Sequence, residues 1–177
     1  KIIQQCDPES FQFYIDNSRN LENGSRIISV VPNSSAVVLQ MPRGNIEVIN
    51  PRPLVLHYFK DKFNQGLYKE AMLLLKHHRV DLNLMIDYNS NIFIKKCTDF
   101  VNDLNDSNLI IQLLTELRSI DVMNSLHFST SPPNHDTSWE SQKLSTVCKT
   151  IRNACVSVDE EKYIFLRSNV DTNLSSF

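Results

Sequence analysis

Only three glycines occur in 177 residues, and they stand far apart at Gly24, Gly44 and Gly66. No glycine-rich loop that cradles phosphate can be built from them, and a chain made wholly of turns and short strands is excluded. None of the four cysteines (Cys6, Cys97, Cys148, Cys155) has a C-x-x-C neighbour or a histidine at metal-ligand spacing. They read as buried free thiols in a reducing compartment, and a disulfide framework is not expected in so long and helical a chain. No apolar run approaches the roughly 20 residues of a membrane span. A net charge of −2 leaves no bulk field to attract nucleic acid or a membrane surface. The chain opens on Lys1 with no signal peptide in view, and reads as an intracellular piece of something longer.

What is present is ordinary for a soluble globular protein: 41% hydrophobic and 21% charged residues. Charge is uneven along the chain. Residues 51–80 hold six Lys/Arg against two Asp/Glu, whereas residues 81–177 hold eight against thirteen. The basic section reads first as a solvated helix face. Eighteen Asn and nineteen Ser recur within ordered-looking segments, which points to compositional bias more than to a low-complexity function.

The first fifty residues read as β. "RIISVV" (26–31) and "SAVVLQM" (35–41) are β-branched and separated by the turn residues "PNSS". "NIEVI" (45–49) follows "PRG", where Gly44 supplies a positive φ. Two or three strands make no independent sheet, so a larger β-domain is expected around them. Asn50 is then expected as an N-cap and Pro51 as the first helical residue, with Pro53 tolerated in the first turn. Leu56, Phe59, Lys60 and Phe63 follow at helical spacing up to Gly66, a C′ residue. A second helix, "LYKEAMLLLKHHR", carries Tyr68, Ala71, Met72 and Leu75 on one stripe, completing an αα-hairpin.

Beyond it, a short helix is expected around 82–86 and a longer one over 92–104. The longer one has Ile92/Phe93, Cys97, Phe100/Val101 and Leu104 on its apolar face. "DSNLIIQLLTELR" follows, capped by Asp106 or Ser107. Consecutive amphipathic hairpins indicate an α-solenoid, because each exposes apolar surface that only a neighbour can cover. Residues 127–141 read as a polar, proline-containing linker expected to be mobile. In the next helix Leu144, Val147, Cys148, Ile151, Ala154 and Cys155 share a face, and "DEEKYIFLRSNV" begins another.

Candidate chemistry is thin. His77 and His78 point about 100° apart on a helix and lack an i+4 partner, so they read as dipole-favoured C-terminal histidines and not as a metal pair. Cys97 or Cys155 with a distant histidine could make a nucleophile–base pair, but both lie on apolar faces. Asp159, Glu160 and Glu161 sit where a helix N-terminus attracts carboxylates. Lys60, Lys62, Lys69, Lys76 and Arg79 could form a basic edge for RNA, yet no aromatic platform accompanies them. Trp139 reads equally as a partner anchor and as a satellite-cluster residue. No catalytic, cofactor-binding or metal-ligating residue is assigned.

The stretch "MPRGNIEVINPRPLVL" (41–56) resembles the pattern M-P-R-G-N-[LIV]-E-x-[IV]-x-P-R-x-x-V-L of the largest, scaffolding subunits of the Elongator complex. Met41, Pro42, Arg43, Gly44, Asn45, Glu47, Pro51, Arg52, Val55 and Leu56 match it. A second block resembles basic-Arg-[IV]-[DN]-L-N-L-[IL]-x-D-[YH], matched by His78 to Leu84 and by Asp87 and Tyr88. The resemblance covers about residues 24–126, with the "Cys-x-x-Ile-Arg" core recognisable later.

The resemblance implies a mostly α fold with an N-terminal β portion. Residues 1–50 would end a WD-type β-propeller, 51–126 would be α-solenoid hairpins, 127–141 a linker and 142–177 further solenoid helices. It implies a non-enzymatic, cytoplasmic scaffold with a nuclear pool, binding no cofactor of its own and no membrane. The expected partners are the catalytic radical-SAM and acetyltransferase-like subunit and the propeller-bearing second subunit of a complex that adds carboxymethyl-type groups to tRNA wobble uridines. Homodimerisation and tRNA binding would belong to other parts of the full-length protein. The alternative is a subunit of a vesicle coat or intraflagellar transport complex, which shares the propeller-plus-solenoid architecture but not the two sequence blocks.

Overall fold

In the computed structural model residues 20–123 and 137–158 are described, and the chain divides into two compact units, Lys1–Asp61 and Lys62–Phe177. The described residues are mostly helical, with a small N-terminal sheet.

The first unit holds β1 (Arg26–Val30), β2 (Val37–Gln40) and β3 (Ile46–Ile49), an antiparallel meander in the order β1-β2-β3. Period-two alternation sets its inner face: Val37, Leu39 and Met41 are buried, with Ile49 and Leu54 packed against them. The first turn passes through Asn33 at φ +55°, a left-handed value that Asn tolerates better than most residues. The second closes with the Gly44 N–H donating to Met41 O at 2.9 Å, and Gly44 sits at φ +87°. The opposite face is apolar and open, with Ile46 65% and Val48 61% exposed. Strand β1 is exposed throughout and carries a register shift between Ile27 and Ser29.

Helix α1 (Arg52–Asn64) starts one residue later than expected. Leu54 and Val55 donate their N–H groups to the carbonyl of Pro51 at 3.0 and 3.1 Å, so Pro51 occupies the cap position. Asn50 does not cap the helix; its Oδ1 accepts the Ser35 hydroxyl at 3.0 Å. Of the two N–H groups an Asn50 cap could use, Pro53 lacks one, and the Asn50 oxygen is turned to the Ser35 hydroxyl instead. The helix ends in a Schellman motif: Gly66 N–H donates to Phe63 O and Leu67 N–H to Lys62 O, both at 3.0 Å, with Gly66 at φ +79°.

The second unit continues with α2 (Tyr68–His77), whose buried residues are Tyr68, Ala71, Met72 and Leu75, the stripe expected from spacing. It also ends in a Schellman pattern, with Arg79 N–H to Lys76 O at 3.2 Å and Val80 N–H to Leu75 O at 2.9 Å. Here the left-handed residue is Arg79, at φ +53°. Helix α3 (Leu84–Asp87) is a single buried turn. The expected helix over 92–104 is two helices, α4 (Ser90–Lys95) and α5 (Cys97–Leu104), separated by Lys96 at φ −109°, ψ 20°.

Helix α4 is capped by the Asn89 side chain and α6 (Ser107–Thr115) by that of Asp106, while Asn105, left-handed at φ 42°, closes α5. Helix α7 (Thr137–Val158) begins inside the stretch read as linker, so residues 137–141 are helical; residues 127–136 lie outside the described residues. The polar composition of that stretch hid a periodic series, Trp139, Lys143, Val147, Ile151, that continues one helical face. The helix expected from Asp159 onward also lies outside the described residues, as do Glu160 and Glu161.

Helix α5 is the centre of the helical core, packing against α7 on one side and α2 on the other. Aromatic edges fill the layer: Phe63 with Tyr68 at 5.4 Å, Tyr68 with Phe100 at 5.6 Å, and Phe93 with Phe100 at 5.1 Å.

Candidate functional site

The most constrained polar chemistry lies where α3, the segment 116–122 and α7 meet. Lys143 is completely buried and stands where Leu144 was expected to lead the apolar face; Leu144 is half-buried. Its Nζ donates to Asp87 Oδ2 at 2.7 Å, to the carbonyl of Ile120 at 2.8 Å and to Asn83 Oδ1 at 3.4 Å. Asp87 Oδ2 also accepts the Val122 N–H at 3.0 Å, and its Oδ1 is buried with no hydrogen-bond partner. Burial pushes the Asp87 carboxyl above the usual carboxylate range, against the Lys143 hydrogen bond, the Val122 N–H and the Lys143 charge, which hold it down.

Asn83 extends this clasp outward. Its backbone N–H and Nδ2 both donate to Asp81 Oδ1, at 2.9 and 2.8 Å, and Nδ2 donates again to Glu116 O at 2.8 Å. Asn83 Oδ1 accepts the Arg118 N–H at 2.9 Å. The Arg118 guanidinium in turn donates to Asp81 Oδ2. Four charged side chains and one amide thus tie three chain segments together, and α7 is held to α3 by a cation that has no access to solvent.

Beside the clasp an open groove of about 660 Å³ runs between the C-terminal ends of α2 and α6. Lys76, Arg79, Gln112, Thr115, Glu116 and Arg118 line it with Val80, Asp81 and Leu82.

The other sequence candidates fall into place around these features. Cys97, Cys148 and Cys155 are free and buried. Burial pushes the Cys97 thiol up to about 12 and that of Cys155 up to about 11. A thiol held so high carries almost no thiolate at neutral pH and is a poor nucleophile. The rings of His77 and His78 meet edge to face at 4.8 Å, and His78 caps α2 by donating its N–H to Leu74 O. Among the described residues no group of three or more His, Cys, Asp or Glu is placed to hold a metal ion. The expected basic edge is interrupted at Lys62, which pairs with Glu70 at 2.7 Å, while Lys76 and Arg79 both line the groove. Trp139 is half-buried on α7.

Sequence reasoning missed Lys143. The signal was its spacing, four residues from both Trp139 and Val147, which puts a cation in an apolar row and demands a buried acid elsewhere.

Residues 52–173 match the family described as ELP1 alpha-solenoid. The chain belongs to that family. It is similar to Elongator complex protein 1 of Mus musculus, 34% identical over 168 residues, covering 92% of this chain and 12% of that protein. The protein of the same name from Schizosaccharomyces pombe is 32% identical over 152 residues, covering 85% and 12%. That from Saccharomyces cerevisiae is 39% identical over 101 residues, covering 55% and 8%. This member of the ELP1 family therefore spans about 12% of the length of the first relatives it matches. All the described helices lie within the matched span, and so does the entire clasp from Asp81 to Lys143. Among the described residues no helix is long and apolar enough to cross a membrane.

Proposed function

We propose that this chain is part of a non-catalytic scaffold subunit of the Elongator complex. In that role it supports 5-carboxymethyl-type modification of tRNA wobble uridines by holding the catalytic radical-SAM and acetyltransferase-like subunit and the propeller-bearing second subunit. The observation that carries the reading is the ELP1 alpha-solenoid match across residues 52–173. The internal chemistry is consistent with it: charged groups are spent on fixing helices to one another, and the buried thiols are held protonated. Residues 1–50 would complete the end of a WD-type propeller, whose remaining strands would cover the apolar face bearing Ile46 and Val48. The protein would work in the cytoplasm, with a nuclear pool.

Mass spectrometry of tRNA nucleosides from cells depleted of the protein tests this reading. Loss of the carboxymethyl-type wobble uridines is expected. Normal levels, together with affinity purification that recovers no radical-SAM subunit, would sink it.

A further inference from the structure

The groove between the ends of α2 and α6 has a particular division of charge. Its two acids are already engaged: both oxygens of Asp81 accept hydrogen bonds, from Asn83 and from Arg118, and Glu116 Oε1 accepts the Gln112 Nε2 at 2.9 Å. Two of its three cations are not engaged. Lys76 and Arg79 form no ion pair or side-chain hydrogen bond among the described residues, and both are exposed. Arg79 moreover holds the left-handed position of a Schellman motif, where glycine is the least strained residue. A backbone strain of this kind, kept by a long cationic side chain beside a groove, is a pointer to function.

We propose that this groove docks an acidic, extended peptide segment of a partner protein, with Lys76 and Arg79 taking its carboxylates. The groove volume of about 660 Å³ suits a few residues of chain. Val80 and Leu82 add apolar lining. The Thr115 hydroxyl donates to Ile111 O and keeps its lone pairs free to accept a peptide N–H. A nucleic-acid backbone suits the groove less well: a phosphodiester has no N–H to offer the Thr115 hydroxyl, and no lining residue is aromatic for a base to stack on. The inference deepens the scaffold reading and rests on it, since it names the chemistry of one contact such a scaffold would make.

The test is a titration of the full-length protein, purified without partners, against a fluorescein-labelled oligo-glutamate peptide read by anisotropy. Arg79→Gly is the informative variant, because it removes the guanidinium and relieves the backbone at a position whose hydrogen bonds are all main-chain. Salt-sensitive binding is expected, weakened about tenfold by Arg79→Gly and further by Lys76→Gln, with an unchanged or raised melting temperature. Curves for wild type and variants that coincide would overturn the proposal. So would the absence of peptide binding, or an oligouridylate whose affinity falls in the variants while the peptide's does not. Intact wobble-uridine modification in cells speaks to the scaffold reading alone, so the two can fail separately.

Discussion

Lys143 carries more consequence than any other side chain here, because a charge without solvent must be answered entirely by its neighbours. Replacing it with methionine leaves Asp87 buried beside the Val122 N–H with no counter-charge. Breaking a buried pair from one side costs about 3–5 kcal/mol, whereas replacing both members with apolar residues is often neutral. Lys143→Met is therefore predicted to abolish hydrogen-exchange protection in α7, and Lys143→Met with Asp87→Leu to restore most of it. Equal protection in the single variant and wild type would contradict this.

The thiols make a second residue-scale case. Because burial raises Cys97 and Cys155 above their ordinary value of 9.0, the stability they contribute is complete below that pH and is lost as pH rises toward 11 and 12. Both should resist iodoacetamide at pH 8 in the native protein and react fully in denaturant, as peptide mass spectrometry would show. Native labelling at neutral pH would mean the helical core opens more readily than its packing implies. Residue chemistry of this kind was only half legible in the sequence. The thiols lay on apolar rows and could be read as buried, but Lys143 finds its acid 56 positions away along the chain, a pairing no local pattern encodes.

At the scale of elements, the helix ends decide where packing can begin. The Schellman closures of α1 and α2 use the same backbone bonds with different residues at the left-handed position, Gly66 and Arg79. Gly66→Ala is predicted to destabilise the helical unit by about 1 kcal/mol, since a Cβ there meets open space but an unfavourable φ. Denaturant melts of the two proteins would register it, and an unchanged midpoint would argue that the turn relaxes.

The stripe of α2 was fully legible, because Tyr68, Ala71, Met72 and Leu75 repeat at the helical period. The start of α1 was not, because the local rule for Asn50 ignored a Ser35 hydroxyl brought close by the sheet. Nor was the break at Lys96, where the apolar row of α4 and α5 continues on both sides of a residue that leaves helical geometry.

For the whole molecule, the open apolar sheet face is the main liability. Ile27, Ile46 and Val48 are each more than half exposed, and among the described residues the outer edge of β1 has no partner strand. Such surfaces recruit further strands. The 177-residue chain expressed alone is predicted to self-associate, and Ile46→Thr with Val48→Thr to shift it toward monomer in light scattering. A clean monomer without those changes would show that the face is satisfied within the chain.

The clasp also bears on how the chain could vary in length. Helix α7 is fixed at Lys143 by acceptors on α3 and on the 120–122 segment. Lengthening a connection is inexpensive, since each doubling adds only about 0.6 kcal/mol of closure entropy. A single-residue insertion within α7, between Lys143 and Val147, is different: it would turn the ammonium about 100° relative to the buried row of Val147, Ile151 and Cys155, and so away from Asp87.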